Sequence, residues 1–199
     1  MPPRRIAIIQ GHPAAGGGHF CHALADAYAQ GAADAGHEVR QVAVADLDFP
    51  LLRSKEEWET ATAVPAAIRQ PQETIGWADH LVILYPLWLG DMPAILKGFL
   101  EQALRPGFAV GAAAGPGGEL GRKLLTGKSA RIVVTMGMPA FLYRWYFGAH
   151  SLRSLKRSML GLCGVGPIRD TLIGGVEAIG DARRQRWLRN LNGLGRRGC

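Results

Sequence analysis

Cysteine is scarce in these 199 residues, and the three present, Cys21, Cys163 and Cys199, cannot build a disulfide framework. None pair at C-x-x-C spacing, so no structural metal is expected, and free thiols fit a reducing compartment. Long apolar runs are missing as well. The strongest, Leu81 to Leu89, contains Pro86 and soon meets Asp91, whereas a membrane-spanning helix needs about 20 residues. Arg4 and Arg5 precede an apolar stretch, Ile6 to Ile9, that stops at Gln10, short of the ~7–15 residues of a secretory apolar segment. These absences point to a cytoplasmic protein without a transmembrane segment. Helix-turn-helix, zinc-finger and RNA-recognition signatures are also missing. No nucleic-acid partner is therefore expected, despite a net charge of +7. Much of the excess falls late, at Arg183, Arg184, Arg186, Arg189, Arg196 and Arg197, where a solvated helix face is the plainer account. A basic chain also suits small anions such as nucleotide phosphates. What is present is ordinary. The chain is 48% apolar, too much for global disorder, and its length fits one domain.

Strand and helix patterns alternate. Ile6 to Ile9 is a short buried strand followed at once by a glycine-rich turn. Phe20 to Ala35 reads as a helix stopped by Gly36. Val39 to Val44 is the next strand, and a helix around Gln72 to Asp79 precedes the strand Leu81 to Tyr85. Pro93 opens a helix over Ala94 to Leu104, and Ala130 to Thr135 is another buried strand. Trp145 to Leu162 reads as helix, Arg169 to Gly174 as strand, and Asp181 to Leu191 as a last helix with Asp181 as its cap. Apolar strands joined by helices make a parallel sheet covered on both faces. Five strands favour the α/β flavodoxin-like order over the six-stranded dinucleotide fold. Residues 1–199 thus read as a single flavodoxin-like domain, doubly wound, with a glycine-rich loop insertion at about 105–127 and a basic C-terminal helix and tail.

Ligands of such sheets sit beyond the carboxyl ends of the strands. Three segments fall there: Gly11 to Cys21, Pro86 to Met92 and Met136 to His150. The first joins strand to helix, where backbone N–H groups suit a phosphate. It is not a nucleotide-triphosphatase loop, because Gly17 and Gly18 stand where lysine and a hydroxyl residue are required. No serine or threonine lies between Gly11 and Cys21, so His12, His19 and the backbone would have to hold an anion. The second segment, apolar and carrying Trp88, could wall a flat aromatic ligand or simply pack in the core. The third carries Tyr143, Trp145, Tyr146 and Phe147, which cannot all face a core, and ends at His150. Tyr143 and His150 can supply a phenol and an imidazole to one pocket, or be a partly buried tyrosine and a surface histidine.

Gly11-His12-Pro13, Phe20, the run Met92-Pro93-Ala94-Ile95-Leu96-Lys97-Gly98-Phe99, Gly107-Phe108, and Thr135 through His150 occur in a recognisable order. From about Arg5 to Val176 the chain resembles the flavodoxin-like NAD(P)H:quinone oxidoreductases of the DT-diaphorase type, especially the short bacterial members. The resemblance implies two-electron hydride transfer from NAD(P)H through a bound flavin, FAD rather than FMN, to a quinone or similar acceptor. It also implies a homodimer. His12, Gly18, His19, Phe20 and Cys21 match the phosphate side of the flavin. Pro86, Leu87, Trp88 and Leu89 match the segment lining its ring, and Thr135, Met136, Gly137 and Met138 the loop against its pyrimidine edge. Tyr143 and His150 match the pair that steadies charge on the reduced ring, and Phe108 matches a substrate-pocket residue. The first loop departs from the family pattern: it is longer, has glycines for hydroxyl residues, and has Cys21 for an asparagine. A flavodoxin-like electron carrier, or an ancillary regulatory subunit docked peripherally on a membrane transporter, is the alternative role for such a chain.

Overall fold

The apolar runs become strands because each can bury both faces. In the computed structural model, which describes residues 2–59, 64–111 and 122–199, five parallel strands lie in the order β2-β1-β3-β4-β5. They are β1 (Arg5–Gln10), β2 (Glu38–Ala43), β3 (His80–Pro86), β4 (Ser129–Met136) and β5 (Ile168–Gly174). The central strands β1, β3 and β4 are buried almost throughout, whereas edge strand β2 is mostly open.

Alternate residues serve two cores, as the period of a strand requires. Ala7, Ile9, Leu81, Ile83, Ile132 and Val134 face one. Helices α3 (Ala66–Trp77), α4 (Ala94–Ala103) and α6 (His150–Ser154) cover that side. Ile6, Ile8, Val82, Leu84 and Val133 face the other, beneath α1 (Phe20–Asp34) and α8 (Asp181–Arg196). A short helix α2 (Lys55–Glu59) lies between β2 and α3, and α5 (Ala140–Trp145) follows β4.

Three expectations need correction. The helix expected near Gln72 begins at Ala66 and carries Pro71 inside it. The helix expected over Trp145 to Leu162 is broken: α5 stops at Trp145, and Gly148 and Ala149 both take positive φ before α6 starts. From there α6, a π-helical stretch (Leu155–Leu160) and α7 (Gly161–Cys163) follow end to end. The last helix is capped by Gly180, with Asp181 in its first turn, where its charge still favours the helix dipole. Of the insertion expected at 105–127, residues 112–121 lie outside the described residues.

His80, at the start of β3, is 2% exposed. Burial, reinforced by Arg4, Arg131 and Arg169, lowers its pKa from 6.5 to about 4. Between those values the unfolded chain binds the proton and the folded chain does not, so stability falls as pH drops from 6.5 to 4. His12, lowered to about 4 chiefly by its own burial, acts in the same window. Asp79 loses its stabilising charge only in a lower window, between 3.8 and about 2. The urea midpoint is expected to decline from about pH 6.5 to 4, less steeply in His80→Gln. A wild-type midpoint that stays level across this range would refute the account.

Candidate functional site

The first loop is organised by the last residue of β1. The Gln10 side-chain oxygen accepts from the His12 backbone N–H (3.0 Å), and its amide donates to the Cys21 carbonyl (3.2 Å). Cys21 lies underneath, buried, with its sulfur 3.5 Å from Gln10 Oε1. Burial pushes its thiol up to about 12, so it supports the loop as a neutral group. His12 accepts from the Ala14 N–H through Nδ1 (3.1 Å). With its pKa near 4, the ring is neutral at pH 7, which leaves Nε2–H as a donor. His12 stacks on His19, with centroids 4.1 Å apart, and leans on His22 at 4.8 Å and on Trp88 at 6.4 Å.

Gly16, Gly17 and Gly18 all have positive φ, with open space where a Cβ would be. Among the described residues their backbone N–H groups have no acceptor. They precede the amino end of α1, whose dipole favours an anion. Two openings flank this turn. One, of about 220 Å³, is bordered by Gln10, His12, Gly16, Gly17 and His22. The other, of about 330 Å³, is bordered by Gly18, His19, Phe20, His22 and Arg184. His22 Nδ1 is buried with no partner among the described residues.

The second loop is a tight turn. Trp88 and Asp91 exchange backbone hydrogen bonds of 2.8 and 2.9 Å, which forces positive φ on Leu89 and Gly90 between them. Leu87 N–H donates to the Thr135 carbonyl (2.7 Å) and so joins this loop to the third. Trp88 and Leu89 are exposed, and Leu89 points entirely into solvent. Beneath them the Tyr85 hydroxyl is buried without a partner among the described residues.

The third loop crosses the end of β5. Gly175 and Val176 N–H groups donate to the carbonyls of Met138 and Met136 (3.1 and 3.2 Å). The N–H groups of Gly137 and Met138 find no acceptor among the described residues. Tyr143 is buried. Its hydroxyl lies 2.8 Å from Ser151 Oγ and accepts from the Leu152 N–H (3.2 Å). Ser151 Oγ donates to the Gly90 carbonyl (2.8 Å). Tyr143 therefore pins the second loop to the third. His150, seven residues on, is exposed.

The expected residues thus assemble unevenly. His12, His19 and Trp88 come together, and Gly18, Phe20, Thr135, Met136, Gly137 and Met138 lie on the loops at the same end of the sheet. Trp145 and Tyr146 are 81% and 78% exposed, as their crowding in sequence implied. Phe108 is not brought to these loops. It packs partly buried beside Gly76, near the end of α3, and so at the amino-terminal edge of the sheet. Sequence reasoning missed Gln10, His22, Tyr85 and Ser151. Only His22 left a signal, three residues after His19 on the first turn of α1. Among the described residues no cluster suits a metal ion, and no helix is long and apolar enough to cross a membrane.

The donors present fit an anionic, flat, polar-edged ligand. Free amides at Gly16–Gly18 await acceptors next to a helix amino terminus, the unpaired His22 nitrogen stands beside them, and further free amides wait at Gly137 and Met138. The exposed Trp88 ring lies on the second loop, which Leu87 joins to the third.

A parallel sheet in the order β2-β1-β3-β4-β5, with its ligand-facing loops at the strands' carboxyl ends, defines a flavodoxin-like α/β protein. The sequence pattern of the flavodoxin-like fold family matches residues 4–192, and the chain belongs to that family. A Haemophilus influenzae protein named an uncharacterized NAD(P)H oxidoreductase is 31% identical over 143 residues, spanning 70% of this chain and 69% of its own. A crystal structure from Streptococcus mutans superposes with a TM-score of 0.80 at 26% identity, covering 96% of this chain and 98% of that one. The NAD(P)H:quinone oxidoreductase of Methanothermobacter marburgensis superposes at 0.77 with 24% identity, covering 98% and 96%.

Proposed function

We propose that this chain is a flavin-dependent NAD(P)H:quinone oxidoreductase, passing two electrons from a nicotinamide donor to a quinone or similar small acceptor. The observation that carries the reading is the set of unpaired backbone donors at the first and third loops, facing the end of the sheet where this fold takes its ligands. The relative named an NAD(P)H oxidoreductase supports the donor. The flavin, when bound, supplies the hydride chemistry. The protein's part is to hold, orient and shield.

The amides of Gly16 to Gly18 and the neutral His12 Nε2–H would take the phosphate side. Loss of hydroxyl residues from this loop is offset by histidine and by glycine backbone. Trp88, with Pro86, Leu87 and Leu89 around it, would wall the ring. The Gly137 and Met138 amides would meet its polar edge, where negative charge develops on reduction. Tyr143 and His150 are the proposed charge-steadying pair with divided labour: the buried phenol fixes the loops through Ser151 and Gly90, while the exposed imidazole can carry a proton. The reading includes a homodimer. Phe141, Trp145 and Tyr146 form an exposed apolar rim at this end, suited to burial by a second copy. The flavin is taken to be FAD, with FMN its competitor.

The test is an absorbance spectrum of protein reconstituted separately with FAD and FMN, before and after anaerobic NADPH and then a quinone. Retained flavin that bleaches with NADPH and recovers with quinone is expected. Retention of neither flavin, or retained flavin that NADPH leaves oxidised, overturns the reading. Combining Tyr143→Phe with His150→Ala is expected to slow flavin reduction by about 10²-fold. Unchanged reduction rates would remove the pair from the site.

A further inference from the structure

The opposite end of the sheet carries features that the oxidoreductase reading does not use. His80 and Ser129 open β3 and β4 and stand side by side in register. Arg4 immediately precedes β1, Arg169 is the second residue of β5, and Arg197 immediately follows α8. These residues and Cys199 line a cavity of about 410 Å³, a size typical of small-molecule sites. It lies about one strand length, ~20 Å, from the three loops.

We propose that this cavity binds a small polyanion, a phosphate ester or a polycarboxylate, through Arg169, Arg197 and His80. Three observations converge on this assignment. First, the lining holds three arginines and a histidine, with no aspartate or glutamate among the described residues. Second, the arginines divide into occupied and free. Arg4 Nη1 donates to the Gly198 carbonyl (2.7 Å). Arg131, next to Ala130 in the lining, is spent on the Cys199 carbonyl oxygen and Thr171, both at 2.8 Å. The side chains of Arg169 and Arg197 are exposed and make no hydrogen bond or ion pair among the described residues. Third, His80 is buried with half of its polar capacity unmet. Its Nδ1 lies 2.7 Å from Ser129 Oγ, and its Nε2 has no partner among the described residues.

A solvated pair of arginines accounts for the second observation alone, but not for the third. In the tautomer that accepts from the Ser129 hydroxyl at Nδ1, the neutral ring carries its hydrogen on Nε2, and that hydrogen has no acceptor among the described residues. An anion oxygen supplies that acceptor, and two free guanidinium forks supply bidentate donors for further oxygens. Two unpaired cations call for two or more negative charges on one small ligand. The site is independent of the flavin reading, since it shares no residue with the loops.

The test uses the full chain with labelled histidines, titrated with pyrophosphate and separately with citrate, and follows the ring resonances of His80, His12 and His22. A saturable shift of the His80 resonances is expected, with affinity weakened at least about tenfold in the Arg169→Ala/Arg197→Ala double variant. Both replaced side chains are exposed, so the variant is expected to fold, which circular dichroism checks. A response to pyrophosphate alone identifies a phosphate ligand, and one to citrate alone a polycarboxylate. His80 resonances that stay fixed to about 10 mM of either anion, or that move equally in the double variant, overturn the proposal. His12 and His22 report the first loop, so a chain that fails to hold flavin still gives a clear answer here.

Discussion

Gly174→Ala is expected to abolish flavin retention while leaving the sheet in place. Gly174 ends β5 at the point where the third loop crosses it. A Cβ built there would lie 2.2 Å from the Ala140 nitrogen, 2.6 Å from the Met138 oxygen and 2.9 Å from the Pro139 carbonyl carbon. All three are backbone atoms, so no side-chain rotation relieves the overlap. The loop must lift, and the free Gly137 and Met138 amides lift with it. A loss of about 100-fold in flavin affinity, ~2.7 kcal/mol, is the expected scale. Gel filtration of the reconstituted variant reads retention, and far-ultraviolet circular dichroism reads the fold. Wild-type retention by a folded variant would show that the third loop does not touch the cofactor.

Gly31→Ala is expected to destabilise the whole domain. Helices α1 and α8 meet through two glycines. A Cβ on Gly31 would fall 2.1 Å from the Asn192 carbonyl oxygen, and one on Gly195 would fall 2.1 Å from the Tyr28 carbonyl oxygen. Alanine favours a helix over glycine by about 1 kcal/mol, but forcing atoms into a packed contact costs ~1–3 kcal/mol and more where backbone must move. Steric overlap wins, for an expected net loss of about 3 kcal/mol in urea unfolding. Gly193→Ala is the control. It lies in α8, two residues before Gly195, and its Cβ would meet only the Arg197 side chain at 3.6 Å, so the sign reverses to a gain of a few tenths to ~1 kcal/mol. Equal effects at Gly31 and Gly193 would refute the close-approach account.

The sheet was legible in the sequence because its central strands are apolar on both faces, a pattern that only a doubly covered parallel sheet satisfies. Ile6 to Ile9 and Leu81 to Tyr85 needed no distant information. Gly36 was readable as a stop because it follows a long alanine-rich helix and takes the left-handed φ that glycine allows. The break before His150 was not readable. Alanine at Ala149 gives no sign of a positive φ that only its surroundings impose. The first turn of α3 was not readable, because Pro71 lies inside the helix, five residues after its first, where proline ordinarily removes a backbone donor. At the site, His12, His19 and Trp88 carried local signals of residue type and position. Gln10, Tyr85 and Ser151 act through partners 11 to 61 residues away in two cases, and through the lack of one in the third. Sequence spacing holds no trace of such contacts. Phe108 shows the converse: a motif match gave it a role, while packing beside Gly76 decided its position.

The turn at Leu89 separates two things that selection usually has to change together. Its geometry is held by the Trp88–Asp91 bonds and by Ser151 on Gly90, all of which involve main-chain atoms. The Leu89 side chain contributes nothing to that hold, because it projects wholly into solvent. It occupies a left-handed conformation that leucine adopts at a cost and glycine or asparagine would adopt more easily. Variation at this one position can therefore redraw the outer face of the site without passing through an unstable intermediate sequence. Under the proposed reading, the range of acceptors becomes a trait that can drift on its own, uncoupled from the inheritance of the fold.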